Sequence, residues 1–129
     1  MIKSEDVFHE KDELNKMMNP FDRVRGVMYY GKMDDIKLAQ YQSFASHKGR
    51  VLVYGVGASY IHKGDTLIYC DLARWEIQLR YRKGMPNFKQ DNDDEDVLKK
   101  IKRSFFIEWR IADKHKMDIF ENIDFCMDV

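Results

Sequence analysis

The fold turns on two runs, Arg50-Val51-Leu52-Val53-Tyr54-Gly55-Val56-Gly57-Ala58-Ser59 and, after the Gly64-Asp65 turn, Thr66-Leu67-Ile68-Tyr69-Cys70-Asp71. Both are apolar throughout and lack the alternation of a strand with one wet face. That pattern suits strands buried on both faces of a parallel sheet. Gly55 closes the first run and Asp71 the second.

Downstream, residues 72–83 carry two periods. Trp75, Ile77, Leu79 and Tyr81 alternate with Glu76, Gln78, Arg80 and Arg82, as in a strand. Leu72, Trp75 and Leu79 also share a helical face, with Ala73 and Ile77 beside them. Asp71 as N-cap, Gly84 as C-cap, Pro86 as a stop and a composition of helix formers favour the helix. Residues 87–96 form an acidic loop into a helix near Glu95–Arg103, whose basic end suits the helix dipole. Ser104–Trp109 reads as a third buried strand, and 112–122 as a helix with Met117, Ile119 and Phe120 on its face. Residues 125–129 read as a short edge strand.

Upstream, residues 4–18 read as a helix capped by Ser4 and stopped by Asn19-Pro20. Residues 25–30 read as a short buried strand, and 33–47 as a helix opened by Asp34 and Asp35 and ended by Gly49. Its face is Ile36, Ala39, Gln40, Ser43 and Phe44, flanked by Leu38 and Tyr41. Strands and helices thus alternate. The expectation is one α/β domain over 1–129, with an N-terminal helix (1–19) and a sheet with crossover helices (21–129). It has three layers: helices on both faces of a mostly parallel sheet of about 4–5 strands.

Composition narrows the class. The chain has 129 residues, 44% hydrophobic and 34% charged, which excludes a disordered tail, a collagen-like chain and a disulfide scaffold. Its 22 basic and 22 acidic residues cancel. No global field draws it to nucleic acid or an anionic membrane. No apolar run nears the roughly 18 residues of a membrane span, and the first residues lack a signal-peptide core. The expectation is a cytoplasmic protein. Cys70 and Cys126 sit in apolar runs and read as buried free thiols. His9, His47, His62 and His115 show no metal-binding spacing, so no metal or cofactor is expected.

Ligands of parallel sheets sit beyond the carboxyl ends of the strands. The first such end carries Gly55, Gly57 and Ser59, where backbone amides could meet an anion. It is neither a Walker A loop nor a full GxGxxG, so a plain turn is the favoured alternative. The second carries Asp71, either a cleft carboxylate or simply the N-cap. The third carries Glu108-Trp109-Arg110. Arg74, Arg80 and Arg82 crowd one short segment, with Arg74, Gln78 and Arg82 on one helical face. They either grip phosphate with their forked donors or form a solvated face of local salt bridges, the favoured alternative. Trp75 and Trp109 read as core or partner anchors. Asp113 and His115 are two apart on a helix and do not face each other. Ser59 and His62 share a loop, without geometry to pair them.

The stretches Val51–Ser59, Asp65–Asn87 and Leu98–Lys116 together resemble the region ahead of the cupin domain in long class I mannose-6-phosphate isomerase-like proteins. The resemblance spans roughly residues 21–129. It implies a sugar-phosphate context. Isomerase chemistry would need the metal-binding cupin, a separate barrel that these residues do not contain. A fainter likeness is to the later half of uridine-kinase-like P-loop phosphotransferases, where a strand ending in Asp precedes an arginine-rich lid. Asp71, Arg80 and Arg82 fit that pattern, while Tyr54-Gly55 departs from it and no Walker A lysine is present. Phosphoryl transfer needs that cradle. The expected role is therefore a non-catalytic or accessory domain that binds a phosphorylated metabolite or a partner chain, the latter a second copy or a cupin domain. The alternatives are a degenerate kinase-like enzyme and a structural oligomerisation module.

Overall fold

The computed structural model describes residues 1–17, 33–46 and 49–129. It is a small mixed α/β fold. Strand β1 (Ile2–Lys3) leads through a 3₁₀ turn (Ser4–Val7) to helix α1 (Lys11–Met17). Helix α2 (Asp35–Ala45), strand β2 (Val53–Tyr54) and the short helix α3 (Ala58–Ile61) follow. Strand β3 (Ile68–Asp71) precedes helix α4 (Arg74–Arg82). Helix α5 (Val97–Arg103) runs through a π-helical segment (Ser104–Glu108) into α6 (Trp109–Ile119). A 3₁₀ turn (Phe120–Asn122) and strand β4 (Phe125–Asp128) complete it. The described strands form two parallel pairs, β1 with β2 and β3 with β4. The expected strand at 25–30 lies outside the described residues.

Parallel pairing follows the expectation, but the first apolar run does not form a long buried strand. Only Val53 and Tyr54 pair, because β1 offers two residues, and Leu52 stays 55% exposed. At the N-terminus the expected helix over 4–18 is split. Ser4 does not cap it: its hydroxyl is fully buried and donates to the Val56 carbonyl at 2.7 Å. That bond draws the chain into β1 and the 3₁₀ turn, and helix begins only at Lys11. Phe8 bridges Met33, and the two pack with Ile2, Val7 and Ile61 into one core cluster. Leu14 and Ile107 form the second, and Phe88 packs against both.

Asp34, expected in the first turn, caps α2 instead, its carboxylate accepting from the Ile36 and Lys37 amides at 3.0 Å. Those bonds hold it below the usual carboxylate range. The face that packs on the core, however, is the half-buried Leu38, Tyr41 and Ala45, a spacing of three and four. Ile36 (75% exposed) and Phe44 point outward.

Segment 72–83 is the expected helix, α4. Its N-cap is Ala73, since Asp71 is still paired in β3. Asp96 caps α5 with its carboxylate. The expected strand at 104–109 is helical instead. Ser104 and Glu108 lie within hydrogen-bond reach on a helix but far apart along a strand, and Ser104 Oγ donates to Glu108 Oε2 at 2.7 Å. On α6, Ile119 is buried as expected, but Met117 and, in the 3₁₀ turn that follows, Phe120 are exposed. The cysteines are both exposed free thiols, not buried ones. Among the described residues, α6 meets β3 through Lys116, which reaches Asp71 and Tyr69, while all four residues of β4 are exposed.

Candidate functional site

Two polar assemblies hold the C-terminal half together. The first is a closed hub between α4, the 85–96 loop and the α5–π–α6 helix. Asn87, 2% exposed, points its amide at four oxygens. These are the Lys100 carbonyl and Glu108 Oε2 at 3.1 Å, and the Tyr81 hydroxyl and Ser104 Oγ at 3.2 Å. Asn92 holds it from behind, donating to Asn87 Oδ1 and accepting from its backbone amide, both at 2.9 Å. The Tyr81 hydroxyl sits 2.5 Å from Ser104 Oγ and 3.3 Å from Glu108 Oε2. Burial, and then the neighbouring carboxylate, push this phenol up to about 12. Arg103 Nε lies 3.5 Å from the other Glu108 oxygen.

Lys100 is the largest fully buried side chain. Its ammonium donates to three backbone carbonyls, Tyr81 at 3.0 Å, Met85 at 3.2 Å and Asp93 at 2.9 Å. One cation thereby ties the end of α4 to both sides of the acidic loop. Tyr81, Asn87, Lys100 and Ser104 are all at most 3% exposed. The hub thus ties α4, the 85–96 loop and the α5–π–α6 helix together.

The second assembly is a seam along α6. Three of its residues, Asp113, His115 and Lys116, each take a residue that the sequence singles out. Lys116 Nζ donates to the Asp71 carboxylate at 3.0 Å and lies 5.0 Å from the Tyr69 ring. That bond to Asp71 raises the Lys116 pKa. Asp113 accepts from Arg74, whose guanidinium also lies over the Trp109 ring at 5.2 Å. Ser59 Oγ is 3.0 Å from His115 Nε2, and Tyr60 stacks on the imidazole at 4.3 Å.

Burial lowers the His115 pKa, which favours the neutral ring. His115 meets Ser59 through Nε2, while its Nδ1 is buried without a hydrogen-bond partner. The pair is a tie between α3 and α6. His62, the loop neighbour, accepts from the Gly64 amide instead, at 2.8 Å.

The remaining candidates stay local. Arg80 pairs with Glu76 at 3.0 Å, one turn away. Arg82 lies over the exposed Trp75 ring at 5.5 Å. Gly55 and Gly57 both have positive φ, +106° and +73°. A Cβ on Gly55 would lie 2.7 Å from Ser4 Oγ, and one on Gly57 about as close to Met33 and Phe8 as atoms can pack. These glycines let the loop cross the N-terminal turn. Two shallow depressions among the described residues, one around Leu67 and Asp124 and one beside Phe44, include none of the seven candidates. Among the described residues, no group of three or more histidines, cysteines and carboxylates could hold a metal ion, and no helix is long and apolar enough to cross a membrane.

A family model described as a domain of unknown function, DUF8485, matches residues 1–129. The chain belongs to that family. No curated protein and no solved structure matches it. The hub residues of this DUF8485 chain carried one legible signal. Lys100, Ser104 and Glu108 recur every four residues, which is one helix face. The strand reading of 104–109 hid it, and Asn87 had no signal at all.

Proposed function

We propose that this chain is a non-catalytic, accessory α/β domain in a sugar-phosphate context, akin to the region ahead of the cupin in long class I mannose-6-phosphate isomerase-like proteins. Its work is to hold a partner chain. One observation carries the reading: the stretches that bear the resemblance meet in the hub. Tyr81 and Asn87 come from one stretch, Lys100, Ser104 and Glu108 from the other. The residues most specific to the resemblance thus serve internal fastening and line no open cleft. The pairing of Arg74 with Asp113, Arg80 with Glu76 and Asp71 with Lys116 points the same way. In this reading the two parallel pairs belong to a three-layer, mostly parallel sheet of about 4–5 strands, like a truncated P-loop-kinase fold.

A thermal-shift panel of phosphate, mannose 6-phosphate, fructose 6-phosphate, and ATP with Mg²⁺ tests it. The expected result is no shift with any of them. A ligand at a hundred times its dissociation constant would stabilise by about 2.7 kcal/mol, several degrees for a domain of this size. A shift with mannose 6-phosphate that disappears in Arg82→Ala would overturn the accessory reading in favour of a phosphate site. A shift that needs ATP and Mg²⁺ would overturn it in favour of a kinase-like enzyme.

A further inference from the structure

We propose that the contact between α3 and α6 is a pH-operated latch, which opens when the His115 ring takes up a proton. The inference goes beyond the accessory reading and does not depend on which partner the chain holds. Among the described residues, one hydrogen bond joins the two helices, between Ser59 Oγ and His115 Nε2 at 3.0 Å. The Tyr60 ring covers the imidazole at 4.3 Å. The other ring nitrogen, Nδ1, is buried and has no hydrogen-bond partner. A neutral imidazole tolerates this, because one of its nitrogens carries no proton. An imidazolium carries a proton on both, so its Nδ1–H would be a buried donor with nothing to accept it. Parting the helices gives that donor to water. Burial holds the His115 pKa below its ordinary value against the pull of Asp118, so the closed contact binds the proton more weakly than the open one.

The charged and titratable groups around the ring do not remove this cost. Among the described residues, Tyr60 faces it from α3, and Asp118 and Lys114 lie beside it on α6. Lys114 donates to Asp118 at 3.2 Å, so that carboxylate is already paired. The other ties of α6 keep their charges between about pH 5 and 8, since carboxylates titrate near 4 and lysines above 10. Lys116 therefore stays on Asp71, and Asp113 on Arg74. On the α3 side, Ile61 stays in the first core cluster. Each helix is thus held by contacts that do not respond in this range, and the histidine tie between them does. The opening is local. As pH falls below the free-histidine value of about 6.5, the open population grows up to about tenfold per unit, until the closed ring takes its proton too.

Hydrogen exchange read by mass spectrometry over residues 53–62 of the whole chain tests it, at about pH 5.5 and 7.5, either side of the histidine range, with intrinsic rates divided out. In wild type, α3 should lose protection severalfold at the lower pH. His115→Gln cannot take the proton and should show the same protection at both. His62 also lies next to α3 and accepts from the Gly64 amide at 2.8 Å, so His62→Gln is the control and should respond as wild type does. A proton NMR titration of wild type reads the event without any substitution. The His115 ring signal should have its midpoint below about 6.5, and the α3 amide shifts should follow it. Protection that ignores pH, a pH response that survives in His115→Gln, or a His115 midpoint at or above about 6.5 overturns the proposal. The ligand panel is independent of this result: a phosphate-dependent shift removes the accessory reading and leaves the latch standing.

Discussion

Replacing Asn87 by aspartate tests the hub with almost no change of shape. The Asn87 amide nitrogen lies 3.1 Å from Glu108 Oε2 and is 2% exposed with its residue. Asn87→Asp puts a second carboxyl oxygen at that distance, and two buried carboxyls so close cannot both ionise. They share one proton and titrate as a pair. The folded-state pKa of the pair is thus raised above the unfolded value of about 4. The folded form then holds a proton that the unfolded chain releases. The penalty is absent below the unfolded pKa and grows as pH rises through the folded one. Each unit costs about 1.4 kcal/mol. A rise of about three units therefore costs about 4 kcal/mol at pH 7, against a domain stability of roughly 5–15 kcal/mol. Losing one N–H donor adds about 1–2 kcal/mol at every pH. Urea unfolding followed by tryptophan fluorescence, from pH 5 to pH 8, reads the gap from wild type through the midpoint at constant slope. Asn87→Ala is the control, with a gap of about 2–3 kcal/mol that does not vary with pH. An Asn87→Asp gap that changes by less than about 0.5 kcal/mol over that range would refute the buried contact between Asn87 and Glu108.

Three further outcomes follow from the same structure. Gly55→Ala should cost about 1–3 kcal/mol, because its φ of +106° and the Ser4 hydroxyl both oppose a side chain, whereas Gly49→Ala meets no atom within 4 Å. If thermal unfolding showed the two variants losing the same stability, the crossing of the loop over Ser4 would not be the cause. Tyr81 should ionise near pH 12 in an ultraviolet titration, later than an ordinary tyrosine. Its folded pKa is raised, so stability should fall as pH climbs from about 10 towards that value, and Tyr81→Phe should flatten that part of the curve. A double-mutant cycle on Asp71→Asn and Lys116→Met should return a coupling that fades as salt is added, since both side chains are a third or more exposed. A coupling that salt does not weaken would place the pair in a drier site than the structure gives it.

Much of the organisation was legible along the chain. Asp34 and Asp96 announce their helices because a short carboxylate before a helical run meets free amides. The helix over 72–83 was readable from its stop signals even though its apolar pattern also fitted a strand. The run Ser104–Trp109 was not readable that way. Five large or apolar residues in a row suit a buried strand and a buried helix equally, and length alone arbitrates poorly. The arginines of α4 were visible as chemistry, but their partners Asp113, Glu76 and Trp75 were not. An ion pair depends on which helices meet, and that is absent from local spacing.

Sequence by itself set the α/β class, the parallel character of the strands and the limits of the helices over 35–45 and 74–82 to within two residues, because these follow from local backbone preference and from the period of apolar residues. Tertiary structure alone decided which polar groups are buried together. Asn87 is an unremarkable loop residue until Tyr81, Lys100 and Glu108 close around it. Cys70 and Cys126 read as core thiols until the structure leaves both exposed on the β3–β4 pair. Burial is a property of what the rest of the chain brings near, and the free energy of a buried polar group depends on every partner at once.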